Sequence, residues 1–284
     1  MTLQLNELVT SSCTLPPMPM VAARVMRELM NPDTSADSLS KIIETDQALV
    51  TRILKISNSA FYGCARKVSS IQLAIVVLGF NTLKNLVIAT STKSLYHQQS
   101  EAEQALWEHS LAVGVASHVL AIAFSPSGLE EAFTAGLLHD LGKLVLYTKE
   151  PAAYADILAQ QEQGVSCHAN EREKFGFTHA DVGSVLANQW NLPETFEAAI
   201  GLHHSLETGK FRELKPRAKA LTALINLADG ITKQLLSPAD EGIETPTDGI
   251  EVAMETLAVS KDHIDGFLSQ IKETFEAEKG LFNV

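Results

Sequence analysis

Apolar residues recur every three to four positions along almost the whole chain, the spacing of one buried stripe on a helix. In "VAARVMRELMN" the stripe is Val21, Val25 and Leu29, and it stops at Asn31-Pro32. "SADSLSKIIETD" and "DQALVTRILKISNS" predict two short helices, the second with Leu49, Ile53, Leu54 and Ser57 on one face. Ser69 or Ser70 caps "IQLAIVVLG"; a Gly79-Phe80 turn follows, and Asn81 caps "TLKNLVIATSTKSLY". The strand-like run "IQLAIVVLGF" meets that next cap so soon that it reads as a buried helix. A second group of helices is predicted over 102–124, 129–147, 152–163, 180–190, 194–204 and 218–236. Sustained alternation with hairpin turns is missing, so the fold class is all-α.

Three parts are expected: an N-terminal helical lobe (1–100), a helical bundle (101–236) and an acidic C-terminal helical segment (237–284). The boundary before the last is "SPADEGIETPTDG", rich in turn residues and acids. Beyond it Ile264, Phe267, Leu268, Ile271 and Phe275 form an inward stripe. No internal repeat interrupts this order.

At 284 residues, 45% apolar and 20% charged, the chain is long and apolar enough for a substantial core. Its net charge of −12 argues against a nucleic-acid or anionic-membrane binder. The charge is uneven, +3 over residues 1–100 and −15 over the rest. "SIQLAIVVLGFNTLKNLVIA" has the outline of a helix-turn-helix, but its second helix offers only Lys84 and Lys93 and no arginine, too little for phosphate anchoring plus base readout. Cys13, Cys64 and Cys167 are scattered, which suits a reducing cytoplasm better than a disulfide framework. The start "MTLQLNELVTSS" lacks the pattern of a signal peptide, and no stretch approaches the roughly 18 consecutive apolar residues of a membrane span. A cytoplasmic chain with no membrane partner is the expectation.

Candidate chemistry lies in the histidines. Five of the nine, with two aspartates, form an ordered series: His109, His139-Asp140, His179, His203-His204, Asp229. Each interval is long enough for a helix and a turn, so each group would come from a different helix. Imidazole nitrogens with carboxylate oxygens suit divalent iron, manganese, zinc or nickel. Neighbours on a helix diverge by about 100°, so a doublet can serve a site only by straddling it or by meeting two ions. With two ions, a shared carboxylate and a hydroxide between them would suit phosphoester hydrolysis. A buried His beside an Asp is, taken alone, more often a satisfied core pair.

The series resembles the HD phosphohydrolase superfamily, and "HDLGK" is similar to the HDxGK form of its HD-GYP branch. "LPPMPMVAARVMRELMNPDTSADSLSKIIETDQALVTRILKISNSAFYG", "VSSIQLAIVVLGFNTLKNLVIA" and "FTAGLLHDLGKLVLY" resemble the HDOD domain over about residues 15–206. The resemblance implies a helical bundle of the HD-domain type with an N-terminal helical lobe, serving bacterial signalling. HDOD domains are generally regulatory modules lacking metal ligands, whereas this chain keeps the whole set. By analogy His109, His139, Asp140 and Asp229 would hold one ion, and Asp140, His179, His203 and His204 a second, with Asp140 bridging. Lys143, a turn beyond His139, would contact a substrate phosphate, which makes Lys143 and Asp140 the candidate catalytic residues. "HHSLETGKF" lacks the Gly-Tyr-Pro stretch of HD-GYP proteins, so cyclic di-GMP cleavage is not implied. Ala105 stands where a third-metal Glu would be, so one or two ions are implied.

The resulting expectation is a cytoplasmic bacterial signalling regulator that retains a His/Asp metal site and acts mainly by binding a protein partner. The alternative is a metal-dependent phosphohydrolase acting on a nucleotide or other phosphate-containing small molecule. His97, His168 and His263 read as surface residues, and His118 as facing away from the site. Asp181 reads as a helix-start acid, Trp107 and Trp190 as anchors, and Cys167-His168 as a weak nucleophile pair.

Overall fold

The computed structural model describes residues 5, 16–29, 31–59, 62, 67–96, 100–124, 128–162, 165–236 and 249–282. Among them there are helices and turns but no strand. The chain divides into two compact units. The smaller comprises Pro17–His97 with Lys272–Val284, the larger Gln98–Ile271 with the segment ahead of Pro17.

The smaller unit begins with α1 (Met20–Leu29), α2 (Ala36–Ile43), α3 (Gln47–Ser57) and α4 (Ile71–Thr92). The starts of the last three are fixed by short polar side chains that satisfy otherwise bare backbone amides. Ser35 and Ser38 form a capping box on α2, Asp46 accepts from Leu49 N on α3, and Ser70 accepts from Leu73 N on α4. Of the predicted stripes, Val21 and Val25 are buried on α1 while Leu29 is half-buried, and Leu49, Ile53 and Ser57 are buried on α3, where Ile56 rather than Leu54 completes the face. The expected Gly79-Phe80 turn is a kink within α4, at a Gly79 whose φ of 83° disfavours any side chain. Around it Val76, Val77 and Phe80 are exposed.

The larger unit is built on α5 (Glu101–Phe124), against which α6 (Ala132–Leu138) and α13 (Pro216–Leu236) lie. Between them come α7 (Leu141–Lys149), α8 (Pro151–Glu162), α9 (Cys167–Phe175), α10 (His179–Gln189), α11 (Glu194–Leu202) and the short α12 (Gly209–Arg212). α10 packs on α7 and α11, and α11 on α13. α14 (Ile250–Leu257) lies against α13, and α15 (Lys261–Phe282) runs from this unit into the smaller one. Ile264, Ile271 and Phe275 of its predicted stripe are buried, while Phe267 and Leu268 are half-buried. Trp107 and Trp190 are buried anchors, and Trp190 donates to Pro16 O at 3.1 Å. The acidic linker, His97, Cys13 and Cys64 lie outside the described residues.

One expectation is corrected. Two helical stretches, Ile71–Leu95 and Glu101–Phe124, are long and apolar enough to cross a membrane. Scattered Ser, Thr, Asn and His break their apolar runs without lowering the mean hydropathy of the window. In the second, 72% of that window is buried by neighbouring helices, as in a core helix.

Candidate metal centre

The HDxGK stretch is not one helix over 129–147, as its periodicity predicts. α6 stops at Leu138, α7 starts at Leu141, and Asp140 between them has non-helical angles (φ −102°, ψ 13°). The break cancels the divergence expected of a helical doublet. His139 Nε2 and Asp140 Oδ2 come within 3.3 Å. Gly142 explains where the break falls: a Cβ there would lie 2.0 Å from the carbonyl oxygen of His179. Only glycine lets the start of α7 meet the first turn of α10 backbone to backbone, which delivers His179 Nε2 to 3.1 Å from Asp140 Oδ1. The predicted helix to His204 likewise ends at Leu202. His203 and His204 follow in a turn with ring centroids 4.0 Å apart.

All seven predicted ligands converge. His109 comes from α5 and Asp229 from α13, with His109 Nε2 at 3.1 Å from Asp229 Oδ1 and 3.5 Å from Asp140 Oδ2. His139 Nε2 lies 3.7 Å from Asp229 Oδ1, and His203 Nε2 3.8 Å from Asp140 Oδ1. Donor atoms of Asp140, His179, His203 and His204 lie within 4.8 Å of one another, as do those of His109, His139 and Asp140. His139, His179 and His203 are wholly buried, while His109 is 17% exposed.

The ring tautomers are set from behind. His139 Nδ1 donates to Gly136 O and His203 Nδ1 to Ile200 O, each at 2.7 Å, the carbonyl three residues back in its own helix. His179 Nδ1 donates to the carboxylate of Glu171 at 2.6 Å. A carbonyl or carboxylate can only accept, so in all three rings Nε2 faces the centre as a potential ligand. The buried Nε2 atoms of His109, His139, His179 and His203, Asp140 Oδ1 and Asp229 Oδ1 have no directed hydrogen bond, and Asp140 Oδ2 has only the Lys143 ammonium. Buried polar atoms in this number require a partner. A divalent cation with nitrogen and oxygen ligands fits them.

Electrostatics keep both carboxylates ionised and divide the imidazoles. Burial pushes His203 and His204 well below the usual imidazole value, neighbouring imidazoles adding to the effect, so both stay neutral. Burial opposes ionisation of Asp140 and Asp229, but His139 and Lys143 around the first, and Lys233 and His109 around the second, hold both well below the usual carboxylate range. Burial also opposes protonation of His139, yet Asp140 and Asp229 raise it to about 9. Two lysines supply countercharge: Lys143 Nζ sits 2.7 Å from Asp140 Oδ2, and Lys233 Nζ donates to Asp229 Oδ2 at 2.6 Å. Lys143 is 3% exposed and thus tied into the cluster, whereas Lys233 is 20% exposed.

Sequence reasoning missed two residues. Glu171, fully buried, accepts from the backbone and ring of His179, from Tyr154 and from Cys167. It hides in "NEREKF", which looks like a solvated charged run; its position eight residues before His179 was the only clue. His168, read as surface, is half-buried with its ring 5.4 Å from that of His204. Other readings hold. Asp181 forms a capping box with Thr178 on α10, and His263 is exposed. Burial pushes the Cys167 thiol up to about 12, which rules out a ready nucleophile.

With this geometry in place, the chain belongs to the HDOD domain family, whose match covers residues 15–206. An uncharacterised protein from Treponema pallidum (strain Nichols) is 29% identical over 194 residues, 68% of this chain and 38% of that protein. YuxH of Bacillus subtilis (strain 168) is 35% identical over 71 residues, 25% and 17% of the two chains. The chain therefore spans well under half the length of these relatives. Among solved structures, an HDOD domain protein from Geobacter sulfurreducens matches at TM-score 0.71 with 24% identity, covering 95% of each chain. A protein from Shewanella amazonensis SB2B, provisionally named a phosphohydrolase, matches at 0.70 and 24%, covering 99% of this chain and 96% of that one. One from Marinobacter aquaeolei VT8, provisionally named a signal transduction protein, matches at 0.72 and 21%, covering 100% and 62%. At these identities the likeness speaks for the all-α fold.

Proposed function

We propose that this protein is a signalling regulator of the HDOD type that carries a working divalent-metal site and acts mainly through a protein partner. The observation that carries the metal part is the convergence of fixed Nε2 atoms from His139, His179 and His203 on Asp140 and Asp229. His109, His139, Asp140 and Asp229 would hold one ion; Asp140, His179, His203 and His204 would hold another. A bound divalent ion of iron, manganese, zinc or nickel would supply Lewis acidity and countercharge for the buried carboxylates. The residues' own contribution is preorganisation: two carboxylates are kept ionised and His203 and His204 neutral, while His139 gives up its proton on binding. The exposed Val76, Val77 and Phe80 beside the Gly79 kink support the partner part, since clustered apolar exposure suits a protein contact.

Elemental analysis of gently purified protein tests the metal part. A transition metal at one or two equivalents is expected, and its absence from wild-type protein at saturating metal would sink the reading. Captured partners that survive Val76→Asp and Phe80→Asp unchanged would remove the partner part.

A second reading, hydrolysis of a phosphoester, is favoured by one observation. The partly exposed His109 and Lys233 stand beside the two carboxylates, where an anionic substrate could reach. Turnover of bis-p-nitrophenyl phosphate or a nucleotide by the metal-loaded protein, abolished by His139→Ala, would establish it. Activity that persists in His139→Ala would exclude this site.

A further inference from the structure

The two halves of the cluster are not equivalent. Asp140 divides them, its Oδ1 facing His179 at 3.1 Å and His203 at 3.8 Å, its Oδ2 facing His139 at 3.3 Å and His109 at 3.5 Å. The short ion pairs of both lysines are made to carboxylate oxygens of the second group. Lys143 takes Oδ2 of Asp140 at 2.7 Å, and Lys233 takes Oδ2 of Asp229 at 2.6 Å. An ion entering there must displace or share ammonium groups already paired with its carboxylates. The Oδ1 side offers three imidazoles, His179, His203 and His204, besides the other oxygen of Asp140.

The backing differs too. His139 and His203 lean on backbone carbonyls, whereas His179 leans on a carboxylate, Glu171, which is itself held by Tyr154, by Cys167 Sγ at 3.4 Å and by the His179 backbone amide at 2.7 Å. A carboxylate behind an imidazole both fixes the ring and makes its far nitrogen a stronger donor, and loss of such support costs about 10–100-fold in metal affinity. His109, on the weaker side, is also partly open to water.

We propose that the cluster is two unequal sites filled in order: the Asp140 Oδ1–His179–His203–His204 side takes the first ion, with Glu171 as its positioning residue, and the His109–His139–Asp229 side takes a weaker second ion in competition with Lys143 and Lys233. The inference rests on the metal reading above but can fail separately from it. A lysine-guarded second position lets occupancy, and so the charge of the cluster, respond to metal supply.

The test is titration of chelator-stripped, full-length protein with Co²⁺, followed by calorimetry and by visible absorption, which reports the ligand field. Two steps are expected, with dissociation constants at least about tenfold apart. Glu171→Gln should weaken the tight step by about 10–100-fold and spare the other. His109→Ala should delete the weak step and leave the tight one, and Lys233→Met should strengthen the weak step. Tyr154→Phe, which keeps Glu171 but removes one of its donors, should weaken the tight step less and covers the case in which Glu171→Gln fails to fold. Two equal steps, a tight step untouched by both Glu171→Gln and Tyr154→Phe, or loss of the tight step in His109→Ala would overturn the ordering and leave the metal reading standing. Wild-type protein that binds no Co²⁺ would overturn both.

Discussion

The larger and smaller units solve folding in different ways. The smaller one is held by an apolar core of Val25, Leu39, Ile43, Ile53 and Ile71, with serine and aspartate side chains closing its helix starts. The larger buries His139, Asp140, Lys143, Glu171, His179, His203 and Asp229 among its leucines and alanines. Burying so many charges without partners is costly, and satisfying them all with protein atoms alone would have made an inert core. Here the tautomers and carboxylates are organised but their inner atoms are left facing one another. One unit is shaped by packing, the other by a constellation that packing must serve.

Substitutions can break that contrast. The largest effect is expected from Asp140→Ala, the residue common to both halves: metal retention should fall at least 100-fold, read by equilibrium dialysis, while circular dichroism stays helical. Retention at the wild-type level would contradict the central role of Asp140. Gly142→Ala should follow, because the added methyl collides with the His179 carbonyl oxygen. Overpacking ordinarily costs about 1–3 kcal/mol, and a clash against backbone belongs at or above the top of that range in chemical denaturation. Ile53→Ala, wholly in the smaller unit, should lose about 2–5 kcal/mol yet leave metal content unchanged. If it empties the metal site, the cluster depends on the core of the smaller unit.

A subtler effect concerns pH in chelator-treated protein. His203 and His204 are held neutral, so their stabilising contribution is intact above their unfolded value of about 6.5 and is lost as pH falls below it. His139 works the other way, its contribution present below about 6.5 and lost as pH rises toward about 9. Melting temperature should therefore decline on both sides of a near-neutral maximum. A monotonic rise from pH 5 to 9 would argue against this balance. The smallest effect is expected at Val76→Ser: this exposed position should change stability by no more than about 0.5 kcal/mol while weakening partner capture.

Much of this was legible in the sequence, and the gaps have physical reasons. Helical stripes such as Val21–Val25 and Leu49–Ile53 report burial locally, and the His/Asp series is rare enough in order and spacing to stand out. The break between His139 and Asp140 was not legible. Its cause is the approach of Gly142 to His179, a contact between distant residues that periodicity cannot register. Glu171 was missed because its charged neighbours mask a carboxylate whose partners, Tyr154 and His179, lie on other helices. Spacing identified which residues would meet, but not what would hold them from behind.

The mounting of each ligand as a single side chain has a further consequence, for heredity. The frame is secured by backbone approaches and apolar packing, whereas each ligand is one side chain, presented at a helix end or, for His109 and Asp229, from the middle of a helix. A single codon change at His109 or Asp229 could thus silence the cluster while leaving the architecture for its descendants to use. A lineage built this way can drift between loaded and mute forms without inventing a new fold.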